Sequence, residues 1–265
     1  MKEISFQSKI ISYTCVGEGP CLVLLHGFPM DQRVWEKTSM HLSGYYKTIC
    51  IDLPGFGQSD MLDEIHSMAL MAQAVQAVLW HEKIEKCVIL GHSMGGYVIL
   101  EFARQFPEML KGLILLHSQA AADDETSQAN RNKSIEAVKQ NKDIFINPFI
   151  EGLFSDDFIA NQADRVNLIK EICQSQKVEA IVAALAGMRD RADQIELLKR
   201  IQVPVLFILG KEDKRMPYFN IMSQAALPAH AELLILDKVA HFGFMEKPQI
   251  VGMTIGQFTD KCFTV

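Results

Sequence analysis

At 265 residues, 49% hydrophobic and 22% charged, the chain can bury a sizeable core and is too apolar to be disordered. A formal net charge of −6 without any run of Lys or Arg argues against nucleic acid and anionic membranes as partners. The apolar runs are too short to span a bilayer, and the polar-interrupted stretch after Lys2 and Glu3 is no signal peptide. Six cysteines show neither CxxC pairing nor zinc spacing, so a reduced, cytoplasmic setting is expected, with no metal and no cofactor.

Residues 4–14 alternate as strand and are expected to form a hairpin closed by Gly17 and Gly19. Apolar runs at 21–25, 46–52, 86–90 and 111–116 read as buried strands, the first three followed by helical patterns near 32–43, 67–82 and 94–106. Further strands are expected at 203–209 and 232–236, with helices near 217–226 and 243–261. Continuous apolar strands alternating with helices imply an α/β fold, a mostly parallel sheet covered on both faces, with chemistry at the carboxyl ends of the strands. Residues 118–191 break the rhythm with helical patterns alone and a greasy middle from Ile144 to Ile159. They are expected to form a helical lid inserted into a core of 1–117 and 192–265.

The strand Cys87–Leu90 runs into Gly91-His92-Ser93-Met94-Gly95, a G-x-S-x-G pattern that opens a helix. A serine hydroxyl needs exposure beside a base to act as a nucleophile, and a sharp turn flanked by glycines supplies that exposure. The positive end of the following helix would face a developing oxyanion, with the N–H of Met94 as one donor. His26-Gly27-Phe28-Pro29 follows the preceding parallel strand, and the N–H of Phe28 is the expected second donor.

Eight histidines compete for the base. His41, His66, His81 and His230 lie in polar segments and are expected to face solvent for the most part. His26 and His92 flank the site loops as structural residues, and His117 ends an apolar strand where it would line the pocket. His241 alone both follows the last strand and comes late in the chain, in the Ser…Asp…His order. Gly210-Lys-Glu-Asp213 supplies the orienting acid, Asp213 preferred over Glu212 because it stands where the loop has cleared its strand.

These residues resemble the α/β-hydrolase superfamily across roughly 1–117 and 192–265, on His26–Pro29, Asp52–Ser59, Gly91–Gly95, Gly210–Asp213 and His241. The resemblance implies the same roles, and places Asp52–Ser59 beside the oxyanion loop. Serine at the nucleophile position departs from that family's haloalkane dehalogenases and epoxide hydrolases. The expected activity is hydrolysis of a small-molecule carboxylic ester, with an apolar acyl pocket formed from Met30, His117, Phe149, Met216 and Phe242. A C–C bond hydrolase, a cofactor-free perhydrolase and a non-hydrolytic ligand receptor remain alternatives, and the protein is expected as a monomer or homodimer.

Overall fold

The computed structural model describes residues 1–264. Eight strands form one sheet: β1 (Lys2–Phe6), β2 (Lys9–Val16), β3 (Cys21–Leu25), β4 (Lys47–Ile51), β5 (Cys87–His92), β6 (Leu110–Leu116), β7 (Val205–Gly210) and β8 (Ala231–Leu236). Their order is β1-β2-β4-β3-β5-β6-β7-β8, with β2 antiparallel to both neighbours and every other pairing parallel. The strands β3, β5 and β7 are buried along their whole length, which is why they read as unbroken apolar runs, whereas β8 lies at the edge with half-exposed residues.

The hairpin turns elsewhere than expected. Phe6 pairs with Lys9, so Gln7 and Ser8 make a two-residue turn with φ of 50° and 62°. Positive φ at both central residues matches the twist of the flanking strands without any glycine. Gly17 and Gly19 instead shape the link from β2 to β3.

Helices α1 (Glu36–Leu42), α2 (Met68–His81) and α3 (Met94–Gln105) alternate with the first parallel strands. On β6, Gly112 abuts Phe258 and Cys262, whereas Leu115, three residues on, touches α3 at Gly96. Odd and even positions of a strand face opposite ways, so α3 and the C-terminal helix cover opposite faces. Between β6 and β7 lie α4 (Glu125–Gln140), α5 (Lys142–Glu151), α6 (Asp156–Asn161), α7 (Ala163–Gln174), α8 (Val178–Arg189) and α9 (Ile195–Arg200). α10 (Tyr218–Ala225), α11 (Gly243–Glu246) and α12 (Pro248–Thr264) complete the chain.

The excursion from β6 to β7 closes on itself, because Gln194 N–H donates to the Ala120 carbonyl at 2.9 Å. Most of its greasy middle faces inward, although Ile144 is exposed. Ile146, Ile150, Leu153, Phe154 and Phe158 are buried, and Phe154 stacks between Phe158 and Phe242, 4.3 Å from the latter. Polar contacts tie the excursion to the sheet loops: Gln176 donates to Asp31 at 2.7 Å and accepts from Gly57 N–H at 2.9 Å. All six cysteines are unpaired, five of them buried. No described helix is long and apolar enough to cross a membrane.

Candidate active site

Sheet order reverses at β3, with β4 on one side and β5 on the other. That switch point opens a crevice at the carboxyl ends of the strands. Phe28, just after β3, and Ser93, just after β5, both line it.

Ser93 has φ 51° and ψ −113°, a strained combination for a residue with a side chain, costing about 1–3 kcal/mol. The surrounding contacts hold it there. Its N–H donates to Leu116 O at 3.0 Å, and its carbonyl accepts from Gly96 N–H at 2.9 Å and Ser118 Oγ at 2.8 Å. A Cβ at Gly91 would collide with the Gly95 backbone, and one at Gly95 would lie 2.7 Å from Leu25 O. Both glycines are therefore required by close approach. The Ser93 side chain makes no capping bond to α3, so its hydroxyl is not spent on the helix.

Above the turn is a cavity of about 200 Å³ containing Ser93 and His241 together. Phe28, Phe145, Phe149, Leu153, Leu185, Met188 and Met216 give it an apolar side; Gln119, Asp123, Ser127, Asn130, Arg131, Ser134 and Arg215 give it a polar one. Of the residues expected in a pocket, Phe149 and Met216 line this cavity, while Met30, His117 and Phe242 are fully buried outside it. Met30 packs under the Gly27 loop and Phe242 in the aromatic stack with Phe154. The N–H groups of Phe28 and Met94 make no hydrogen bond within the protein among the described residues. For Met94 this follows from its place at the first turn of α3.

His241 Nδ1 lies 2.7 Å from Asp213 Oδ2. Burial alone would raise the Asp213 carboxyl; the charge of His241 and the bonds from His117 and His241 outweigh it and hold the group well below the usual range. As an ionised carboxylate accepts only, Nδ1 carries a proton, and Nε2 is the ring nitrogen without a hydrogen-bond partner among the described residues. Asp213 is saturated. Oδ2 also takes His117 Nδ1 at 3.1 Å, and Oδ1 takes the N–H groups of Arg215 and Met216 at 2.9 Å each. His117 Nε2 accepts from Gly243 N–H at 3.0 Å, which fixes this ring as the neutral Nδ1–H tautomer. Burial pushes its pKa down, consistent with that state. Glu212, the competing acid, is exposed.

His117, Asp213 and His241 bring one donor atom each within 4.8 Å of one another, a spacing that can hold a metal. The lone pairs facing inward are already committed to the hydrogen bonds above, and only His241 Nε2 remains unpaired.

The main chain around His241 is tied on every side. His241 N–H donates to Leu153 O at 2.9 Å, and its carbonyl accepts from His92 Nε2 at 2.8 Å. Glu246 Oε1 accepts from the N–H groups of Ala240 and Phe242, and Oε2 from Ser155 N–H. Sequence alone assigns His92 a structural role and His117 a place at a strand end, but not the partners of either, and it does not single out Glu246. Each partner is distant in the chain or on the following helix turn, and no local spacing signals it. Asp52 accepts from Gln32 and Gln58 N–H, and His26 Nε2 accepts from Leu53 N–H at 3.0 Å, so the loop after β4 does pack beside the loop after β3. His66 was expected in solvent and is buried, because its N–H donates to Ala183 O and draws it under α8.

Comparisons with known proteins agree with this layout. The family model described as alpha/beta hydrolase fold matches residues 20–248. The chain is 28% identical over 254 residues to a pimeloyl-[acyl-carrier protein] methyl ester esterase of Aeromonas hydrophila, covering 90% of this chain and 95% of that one. A thermophilic esterase from Thermogutta terrifontis, solved with malate bound, superposes with a TM-score of 0.94 at 26% identity over 99% of both chains. An enol-lactonase from Burkholderia xenovorans has a TM-score of 0.90 over 97% of this chain and 99% of that one, and at 19% identity speaks for the fold alone. With its sheet order, its strained serine turn and a family match over most of its length, the chain belongs to the alpha/beta hydrolase fold family.

Proposed function

We propose that the protein is a serine esterase that cleaves carboxylic esters through an acyl-enzyme on Ser93. One observation carries the reading: His241 Nδ1 is held by Asp213 at 2.7 Å, leaving Nε2 as the unpartnered nitrogen beside the cavity it shares with Ser93. Ser93 Oγ and His241 Nε2 are not hydrogen-bonded here, as is common before substrate binds and tightens the contact.

In the acylation half, His241 Nε2 takes the hydroxyl proton as Ser93 Oγ attacks the ester carbonyl. The negative oxygen is received by the N–H groups of Phe28 and Met94. Collapse expels the alcohol, which leaves with the proton from His241. Water then enters, loses a proton to the same nitrogen and attacks the acyl carbonyl. The acid departs and the serine hydroxyl is restored. Asp213 keeps the ring in the required tautomer and stabilises the transient imidazolium. Residues 118–191 serve as the lid over this chemistry, contributing Phe149, Leu153 and Leu185 to the cavity wall. Similarity to proteins named as esterases supports the choice of an ester.

The test is hydrolysis of short-chain p-nitrophenyl esters, paired with fluorophosphonate labelling. The wild type is expected to turn over and to label, and Ser93→Ala to lose at least about a thousandfold in kcat and to stay unlabelled. Retained turnover in the alanine variant would overturn the reading.

A further inference from the structure

The greasy middle of residues 118–191 leads to an expectation of an apolar pocket, yet the cavity has a polar wall. Ser127, Asn130, Arg131 and Ser134 recur on one face of α4 at helical spacing, and that face borders the cavity. Opposite them, in the loop after β7, Arg215 lays its guanidinium over the Phe149 ring at 4.4 Å. The two arginines differ in their partners. Arg131 Nε is bonded to Asp123 at 3.0 Å, and that carboxylate also binds Arg191. Arg215 has no side-chain hydrogen bond or ion pair among the described residues. Asp123, the one acid among the residues lining the cavity, is therefore doubly neutralised, and the balance of charge on the wall is positive.

Arg215 is an exposed residue, yet the protein around its guanidinium, and then the charge of Arg131, push its pKa down. Arg131 shares the Asp123 carboxylate with Arg191, whereas the nearby Arg215 guanidinium has no acid partner among the described residues and is left short of an anion. Phe149 orients the Arg215 fork from below, leaving its edge donors unspent.

From this we infer that Arg215 is a specificity residue that binds a carboxylate on the substrate, so that the preferred substrate is an ester carrying an anionic group remote from the scissile bond. The inference rests on the esterase reading above. Arg215 lines the same cavity as Ser93 and His241, which puts the cation within the space a bound substrate would share with the reacting groups.

Two substrate series decide it and locate the anion. One holds monomethyl esters of straight-chain diacids from succinate to suberate, each against the methyl ester of the monoacid of equal length. The other holds acetate esters of ω-hydroxy acids, each against the acetate of the matching alcohol. In at least one series wild type should favour the anionic member by about tenfold or more in kcat/KM, the size of one charge-assisted hydrogen bond. Added salt should erode this preference, and Arg215→Gln should remove most of it while Arg215→Lys keeps part. A ratio near one at every length in both series overturns the inference and leaves the esterase reading intact. A preference that survives Arg215→Gln and vanishes in Arg131→Gln overturns it too. Calorimetric titration of adipate onto Ser93→Ala reads the same contact without turnover: binding should occur and weaken at least about tenfold when Arg215→Gln is added. No binding there would overturn the inference even if no ester were cleaved.

Discussion

Asp213 Oδ2 is shared between two imidazoles, His241 at 2.7 Å and His117 at 3.1 Å. Under the proposed mechanism His117 therefore competes with the base for the same negative charge. Replacing His117 by Phe keeps the volume and removes the competing donor. The imidazolium of the reaction is then better stabilised, and the acid limb of the kcat/KM profile should move to higher pH. A hydrogen bond of about 1 kcal/mol corresponds to a shift of about 0.7 pH unit. The other titratable or charged neighbours are unaltered: His92 at the end of β5, Arg215 after β7, and His241 and Glu246 near the C-terminus. An unmoved limb with a lowered melting temperature would leave His117 as packing alone. At this scale the sequence was informative about position and silent about direction. His117 was legible as a strand-end residue, but nothing in one dimension says that its ring turns to an aspartate 96 residues away rather than into the cavity.

Among the elements, the start of α3 presses against the loop after β3. A Cβ on Gly95 would lie 2.7 Å from Leu25 O and 2.8 Å from His26 O, backbone atoms that cannot swing aside. The same contact sets the separation of the Met94 and Phe28 N–H groups. Gly95→Ala is expected to lower kcat at least about tenfold by spreading the proposed oxyanion donors, with a loss of stability of about 1–3 kcal/mol. Steady-state kinetics on a variant whose circular dichroism is native would check this; an unchanged kcat would mean that the loop yields. The parallel strands and their helices were readable because burial on both faces imposes continuous apolar runs. The hairpin was misread at its turn, since Gln7 and Ser8 adopt a conformation usually left to glycine or asparagine. The wall of the cavity was read only in part. Phe145 and Phe149 of α5 do line it, but Ile146 and Ile150 of the same helix pack inward, and the polar face of α4 supplies the other side.

For the molecule as a whole, three of the buried histidines are structural acceptors. His26, His66 and His117 each accept a backbone N–H through Nε2, from Leu53, Leu62 and Gly243 respectively. Each must be neutral to do so, and burial pushes all three pKa values down, His66 to about 4. Between that value and about 6.5 the unfolded chain binds a proton at His66 that the folded one refuses. Stability therefore is complete above the unfolded value and falls as pH drops through this window. The His66 share amounts to about 2–3 kcal/mol by about pH 4.5. Urea unfolding at both ends of the range should show His66→Gln losing less stability on acidification by that amount; an equal loss in both proteins would exclude His66 as a source. The overall fold was legible because alternation of strand and helix admits few topologies, whereas the burial of His66 was not, since its polar neighbourhood in sequence conceals its place against α8. The bond from Gln194 to Ala120 has a further consequence. The excursion leaves and rejoins the sheet at adjoining strands, so its two ends meet at one seam whatever the length between them. Segments of other sizes and linings can be spliced at that seam without altering strand spacing, and the reacting bond and the choice of substrate are free to evolve at different rates.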